Sequence, residues 1–153
     1  SIQKNIEFGN PSATKDEVKG AAILSEIDSE ILKFKKGYET ILGERGVTLS
    51  GGQVQRLSIA RSFIKDSEIY LFDDCFSSLD SDTEDRIIKN LNNNFKGKTL
   101  LIVSHRVSCV KNADKIIVLE KGSIIQEGTH NDLIKNEGFY KDLYIKQNSE
   151  INK

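Results

Sequence analysis

The chain has 153 residues, of which 37% are hydrophobic and 29% charged, a composition typical of one globular domain. Its 22 basic and 23 acidic residues give a net charge of −1, so it lacks the basic excess expected of an autonomous nucleic-acid-binding protein. No apolar run approaches the roughly 20 residues needed to cross a bilayer, and Cys75 and Cys109 fit no metal-ligand pattern, which predicts reduced, packed thiols.

The first part of the chain, up to about residue 48, has the pattern of short helices joined by loops. Residues 1–10 form a short amphipathic opening. Thr14 and Glu17 have the spacing of a capping box, which predicts a helix that begins after Thr14. A further helical turn or two is expected over residues 28–36, ending at Gly37.

Two adjacent glycines open the next segment. Ser50 and Gln53 again have the capping-box spacing and place a helix N-terminus at Ser50. Apolar residues recur from there at helical spacing and predict one buried face: Val54, Leu57, Ala60 and Ile64. A helix N-terminus presents unpaired N–H groups, and Gly51 and Gly52 let an anion approach the backbone. We predict an anion-binding helix start, with phosphate as the expected anion; a plain glycine turn is the alternative.

Beyond residue 65 the pattern changes to apolar runs separated by helices. The runs predict strands over residues 69–72, 99–103, 116–119 and 123–126. Lys121-Gly122 predicts a hairpin turn between the last two. Ser81, with Glu84 three positions later, predicts a helix start. Two more helices are expected over residues 130–135 and 139–147, with His130 as part of a helix start.

Apolar runs that alternate with helices are typical of an α/β domain whose central strands are buried on both faces. In such sheets ligands gather at the carboxyl ends of the strands, where Asp73, Asp74 and His105 follow two of the runs. A carboxylate at Asp73 can hold Mg²⁺ through water beside a phosphate. A neutral imidazole at His105 can bond a phosphate oxygen and hold a neighbouring carboxylate. Taken singly, such an aspartate or histidine is more often structural.

Short motifs along the chain resemble those of ATP-binding-cassette (ABC) ATPases, in the family's order and with similar spacing. Leu49-Ser50-Gly51-Gly52-Gln53 is similar to the signature motif. Ile69-Tyr70-Leu71-Phe72-Asp73-Asp74 and the following Ser77-Ser78-Leu79-Asp80 resemble the Walker B motif and the D-loop. Ile102-Val103-Ser104-His105-Arg106 resembles the H-loop, and Gly43-Glu44-Arg45-Gly46 resembles the X-loop of exporters.

The resemblance covers essentially the whole chain and implies the C-terminal part of an ATP-binding domain from a multidrug-type or lipid-type exporter. The implied fold is α/β and partly P-loop NTPase-like. A helical subdomain would span residues 1–65, followed over residues 66–153 by the C-terminal half of a mainly parallel sheet flanked by helices. The implied cofactors are ATP and Mg²⁺. The implied partners are a second ATP-binding domain, in a homodimer or heterodimer, and transmembrane domains, at the cytoplasmic face of a membrane.

The resemblance also implies roles for motifs at the domain surfaces. The signature residues would contact ATP held by the partner's P-loop; these are Ser50, Gly51, Gly52 and Gln53. Ser78 and Asp80 of the D-loop would contact the partner domain. Glu44 and Arg45 would face the coupling helices of the membrane domains.

The Walker B end departs from the family pattern at one residue. Asp73 would hold Mg²⁺ through water, and Asp74 and His105 would be catalytic, but the family usually has glutamate as the general base where Asp74 stands. Aspartate is shorter by about 1.5 Å, and a misplacement of that order can reduce a rate about 10²-fold. The combination of an intact signature with this aspartate is similar to that in one half of the heterodimeric exporters. It predicts slow or absent hydrolysis at the chain's own site.

No segment fits the P-loop pattern that holds nucleotide phosphates. Gly97-Lys98-Thr99 has Asn92 where a P-loop needs glycine, and it precedes a strand where a helix is needed. We therefore expect the chain alone neither to bind ATP tightly nor to hydrolyse it. Two alternatives are a soluble ABC ATPase of DNA repair or translation and a non-catalytic interaction module.

Overall fold

The computed structural model describes residues 1–43 and 46–151, except for the side chains of residues 150 and 151. Within them, α-helices and β-strands alternate after a helical first part. The helices are α1 (Ile2–Glu7), α2 (Lys15–Leu24), α3 (Asp28–Ile31), α4 (Gly51–Phe63), α5 (Ser81–Asn94), α6 (Val107–Val110), α7 (His130–Lys135) and α8 (Phe139–Ile151). The strands are β1 (Ile69–Asp73), β2 (Thr99–Val103), β3 (Ile116–Glu120) and β4 (Ser123–Gly128).

The chain forms two compact units, with the division inside β2 between Leu101 and Ile102. Each unit is described by itself. The predicted boundary near residue 65 separates a helical part from a strand-containing part and stays a prediction.

The helical part of the first unit packs on α4, which α1 and α2 both contact. The capping box predicted at Thr14 is present and begins α2. The buried face of α4 is wider than predicted. Val54 is 49% exposed, contrary to the prediction, and the buried residues are Leu57, Ile59, Ala60 and Phe63. Ile64 is half-buried and caps the end of α4.

The helix expected over residues 28–36 is shorter than predicted. It ends at Ile31, and beyond it the backbone hydrogen bonds change to the i→i−3 pattern. The amide of Lys33 donates to the carbonyl of Glu30, and that of Phe34 to the carbonyl of Ile31. A short 3₁₀ turn follows at Gly37–Glu39, where Gly37 has a positive φ of 49°. Poorer bond geometry in such turns keeps them short.

β1 and β2 form a two-stranded sheet. The amide of Thr99 donates to the carbonyl of Glu68 at 2.9 Å, which brings the beginnings of the two strands together. One face of β1 packs on an aromatic cluster that includes Tyr70, Phe72, Phe63 and Phe95. The other face of β1 carries Ile69 and Leu71, which are 66% and 64% exposed, and Leu101 of the neighbouring strand β2 is 55% exposed. The prediction that the central strands are buried on both faces is therefore wrong for the described residues of β1 and β2, because helices cover only the aromatic face of this sheet.

The helix α5 begins at Ser81 as predicted, but its cap is one residue earlier. The Asp80 side chain accepts from the amide of Thr83 at 2.9 Å, so Asp80 is the N-cap of this helix. Either residue type caps helices well, and the backbone of Asp80 has the extended conformation that a cap requires. Glu84 is instead buried.

The second unit contains the predicted hairpin. β3 pairs antiparallel with β4, and Lys121 and Gly122 both have positive φ values, 49° and 80°, as a tight hairpin turn requires. The core of this unit joins the hairpin to α6, α7 and α8 through Val107, Ile116, Val118, Leu133 and Tyr140. His130 starts α7, as predicted, and its Nδ1 lies 2.8 Å from the Tyr140 hydroxyl. Over the described part of the chain, no helix is both long and apolar enough to cross a membrane.

Candidate functional site

The glycine pair forms the start of α4, with Ser50 as its N-cap. The Ser50 hydroxyl accepts from the amide of Gln53 at 3.3 Å, and Gln53 Oε1 accepts from the amide of Ser50 at 2.9 Å, so the predicted capping box is confirmed. The amides of Gly51 and Gly52 come next, in the first turn, where a helix offers no carbonyl to its N–H groups. Ser50 and Gly51 are exposed and Gly52 is half-buried. The turn therefore presents a hydroxyl and two amides at the positive end of a 13-residue helix.

Backbone packing explains the glycine at position 52. A Cβ atom added there would lie 3.0 Å from the carbonyl oxygen of Ser78 and 3.6 Å from Leu79 Cδ2. A Cβ atom at Gly51 would meet nothing closer than the Ser78 hydroxyl at 3.7 Å, an ordinary contact. The signature turn and the segment 77–80 therefore pack together within one chain, and only one of the glycines is needed for that approach.

The side chain of Gln55, on α4, also bonds to the segment 77–80. Its Nε2 donates to the Ser77 hydroxyl at 3.1 Å, and its Oε1 accepts from the amide of Ser78 at 2.9 Å. Sequence reasoning missed this residue, because no local pattern distinguishes Gln55 from any other glutamine on a helix. The contact spans 22 to 23 residues of sequence and appears only once α4 packs against the loop.

The Gln53 side chain also has a partner outside the signature. Its Nε2 donates to Glu30 Oε2 at 2.6 Å, and the other oxygen of Glu30 pairs with Arg56 at 2.6 Å. Burial by itself would raise the pKa of Glu30, but the hydrogen bonds from Gln53 and Arg56 and the charge of Arg56 hold that pKa below its ordinary value. Neither Glu30 nor Arg56 was identified from the sequence.

The two aspartates lie at the end of β1. Asp73 is the last strand residue and is exposed. Asp74 has a positive φ of 46°, a conformation that aspartate tolerates better than most residues. The amide and hydroxyl of Ser77 both bond to its carbonyl, at 3.5 and 3.0 Å, and hold the turn.

The residues around Asp73 suit Mg²⁺ held mostly by phosphate and water. Within the described residues, no group of three or more histidine, cysteine, aspartate or glutamate side chains gathers to bind a metal. A single exposed carboxylate at a strand end is nevertheless the ligand that magnesium uses beside nucleotide phosphates, where most of its coordination comes from water and the substrate. Asp73 fits that arrangement and would hold the ion through water.

Cys75, which follows the aspartates, is unsuited to thiolate chemistry. Burial, with the negative charges of Asp74 and Asp73, raises the pKa of its thiol to about 12. Both Cys75 and Cys109 are free thiols, as expected from the sequence.

The D-loop residues Ser78 and Asp80 are exposed. The carboxylate of Asp80 caps α5, and the hydrogen bonds from Thr83 hold the pKa of Asp80 below its ordinary value. A carboxylate that caps a helix stays ionised at neutral pH.

His105 belongs to the second unit, where it is exposed just after β2. Gln147 of α8 bridges the turn: its Nε2 donates to the His105 carbonyl at 2.7 Å, and its Oε1 accepts from the amide of Val107 at 2.9 Å. This second-unit contact, 40 to 42 residues apart in sequence, was also missed.

The structure thus brings together part of the predicted site. Residues 50–53 and the D-loop residues meet in the first unit, with Asp73 at the end of the strand that leads into the same loop and Asp74 directly after it. Glu44 and Arg45, predicted to form the X-loop, lie outside the described residues.

Comparison with known proteins identifies the family. Residues 3–77 match the family model described as ABC transporter. The chain is 47% identical over 150 residues to the mitochondrial potassium channel ATP-binding subunit of Xenopus tropicalis, covering 98% of this chain and 22% of that protein. It is also 47% identical over 148 residues to the multidrug resistance-like ATP-binding protein MdlA of Buchnera aphidicola, covering 96% of this chain and 26% of MdlA.

A solved structure agrees with these relatives. The structure of a bacterial Atm1-family ABC exporter with ATP bound superposes with a TM-score of 0.90 and 37% identity, covering 96% of this chain and 26% of that chain. The present chain therefore spans about a quarter of the length of the proteins it matches. The family match, the identities and the shared fold together show that this chain belongs to the ABC transporter family.

Proposed function

We propose that this chain is the C-terminal part of the ATP-binding domain of an ABC exporter, in which ATP binding and hydrolysis drive transport across a membrane. The signature turn is the observation that carries the proposal. Ser50 presents a hydroxyl, and Gly51 and Gly52 present first-turn amides, at the positive end of α4. That set of donors suits the γ-phosphate of ATP held by the P-loop of a second ATP-binding domain.

The relatives support the exporter part of the proposal. MdlA is named a multidrug resistance-like ATP-binding protein, and the solved relative is an Atm1-family exporter with ATP bound. On this basis the partners are a second ATP-binding domain and membrane-spanning domains. Closure of the two ATP-binding domains on ATP would be driven by the signature contacts, and hydrolysis would release it.

The second set of residues would serve nucleotide bound by the chain's own domain. Asp73 would hold Mg²⁺ through water, Asp74 would orient the attacking water, and His105 would bond the γ-phosphate. Mg²⁺, when bound, supplies charge neutralisation for the phosphate groups. The short side chain of Asp74 favours slow hydrolysis there, so the signature would mainly serve the partner's site. By itself the chain would neither bind ATP tightly nor hydrolyse it, and micromolar ATP affinity of the isolated chain would contradict this.

Ser50→Asp in the complete protein tests the phosphate contact apart from helix capping. Aspartate caps a helix as well as serine does, so α4 should keep its start. A carboxylate facing the γ-phosphate should nevertheless lower ATP hydrolysis at least tenfold, because a bond from a hydroxyl to a charged group contributes about 1.5–3 kcal/mol and repulsion adds to its loss.

Ser58→Asp is the matched control, since it places the same charge at an exposed position of α4. It should leave hydrolysis within about twofold of wild type, as surface substitutions usually do. Equal activity in Ser50→Asp and Ser58→Asp would show that the turn only caps a helix.

A further inference from the structure

A glutamate on α3, outside every motif singled out from the sequence, is bonded to the signature turn by two routes. We infer that Glu30 is a positioning residue of this turn, acting through Gln53 and Arg56. The inference rests on the proposed function of the turn, because positioning matters only if the turn binds phosphate.

The first route fixes the orientation of the Gln53 amide. The carboxylate of Glu30 only accepts hydrogen bonds, so Gln53 must present its NH₂ group to it, at 2.6 Å. The Gln53 oxygen is then left facing the amide of Ser50, from which it accepts at 2.9 Å. Without Glu30 nothing on this route prevents the amide from flipping, which would turn the NH₂ group toward the Ser50 N–H. Glu30 therefore keeps the capping box in its bonded form.

The second route runs through Arg56. Its Nη2 pairs with Glu30 Oε1 at 2.6 Å, its Nη1 donates to the carbonyl of Glu26 at 2.8 Å, and its Nε donates to the carbonyl of Gly52 at 3.3 Å. The guanidinium fork is planar and rigid, so a bond at one end constrains the other. Glu30 thus restrains the backbone at two points: the Ser50 amide before the glycine pair and the Gly52 carbonyl within it.

Partial burial strengthens both routes. The Glu30 side chain is 26% exposed and that of Arg56 is 13% exposed, so water competes weakly for their bonds. Each oxygen of Glu30 is bonded to a different donor. An isosteric glutamine has an NH₂ group in place of one oxygen, so one of the two donors would face another donor.

Glu26 provides a matched control four residues earlier. Its carboxylate is equally exposed, at 28%, but bonds to Arg86 at 2.8 Å and to Asn90 at 3.4 Å, both on α5. Only its backbone carbonyl contacts Arg56, and a side-chain substitution leaves that atom in place. Glu26→Gln therefore makes the same chemical change at a similarly buried site without touching the two routes.

The test compares Glu30→Gln with Glu26→Gln in the complete protein. Two quantities are measured: the kcat and KM of ATP hydrolysis, and the hydrogen-exchange rates of the amides of residues 50–53. We expect Glu30→Gln to lower kcat about tenfold, as small misalignments of reacting groups do, and to speed exchange at residues 50–53. ADP affinity should not change, because ADP lacks the γ-phosphate that the signature turn is proposed to bind. Glu26→Gln should leave kcat and exchange at these residues within about twofold of wild type.

The outcomes separate this inference from the proposed function. If Ser50→Asp abolishes hydrolysis while Glu30→Gln and Glu26→Gln behave alike, the proposed function stands and the positioning role is overturned. Equal exchange rates at residues 50–53 in Glu30→Gln and wild type overturn it as well. If Ser50→Asp leaves hydrolysis unchanged, the proposed function fails, and Glu30 loses its positioning role with it.

Discussion

The two glycines of the signature turn should respond differently to alanine. At Gly51 a Cβ atom has ordinary contacts, the nearest at 3.7 Å, and alanine is favoured over glycine in a helix by up to about 1 kcal/mol. At Gly52 the same methyl group lies 3.0 Å from the backbone carbonyl of Ser78, which cannot rotate away. Overpacking of this kind costs about 1–3 kcal/mol. Gly52→Ala should therefore be less stable than Gly51→Ala by about 1–3 kcal/mol.

Urea unfolding followed by circular dichroism measures this difference. With a denaturant slope of about 1–3 kcal/mol per molar, the Gly52→Ala midpoint should fall below that of Gly51→Ala by about 1 M. Gly20→Ala is the control, because Gly20 lies within α2 and a Cβ atom there meets nothing within 4 Å. It should raise the midpoint. A Gly52→Ala midpoint equal to or above that of Gly51→Ala would refute the close approach of α4 to Ser78.

Three further predictions concern the residues after β1. Asp74→Glu should raise ATP hydrolysis by the complete protein, since it restores the longer general base; an unchanged rate counts against a degenerate site. Asp80→Ala should destabilise the protein at neutral pH. Because the pKa of Asp80 is lowered, the stabilisation exists above aspartate's ordinary pKa and disappears as the pH falls through the lowered one, so unfolding curves should converge in acid. Iodoacetamide should modify Cys75 slowly at pH 8 in a Cys109→Ser background, because its thiol pKa is about 12; fast modification contradicts this.

Features determined within four residues of sequence were predictable. The caps at Thr14 and Ser50 and the hairpin turn at Lys121-Gly122 depend on neighbouring side chains and on backbone preference, which the sequence displays directly. Where two adjacent residues cap equally well, local chemistry cannot choose between them. The cap of α5 is at Asp80 and not at Ser81.

Features that depend on packing were not predictable. The buried face of α4 includes Ile59 and Phe63, because helices α1 and α2 contact it and Phe63 also joins the aromatic face of β1. Glu30 bonds to Gln53 of the signature helix, 23 residues away in sequence. Gln55 of the same helix bonds to Ser77 of the neighbouring loop, 22 residues away. No periodicity or motif marks such contacts. The residues that position the site are therefore harder to predict from the sequence than the motif residues that form it.

Hydrogen exchange at Gly51 and Gly52 tests the central proposal most directly. In the complete protein, a non-hydrolysable ATP analogue should slow exchange of these two amides, and ADP should not, because only the triphosphate carries the γ-phosphate that they are proposed to bind. The amides of Gly97 and Gly122, in turns outside the proposed site, are internal references. Protection of Gly51 and Gly52 by the ATP analogue alone is the predicted result. Equal protection by ADP, or none with either nucleotide, would contradict the proposed binding of the γ-phosphate by the signature turn.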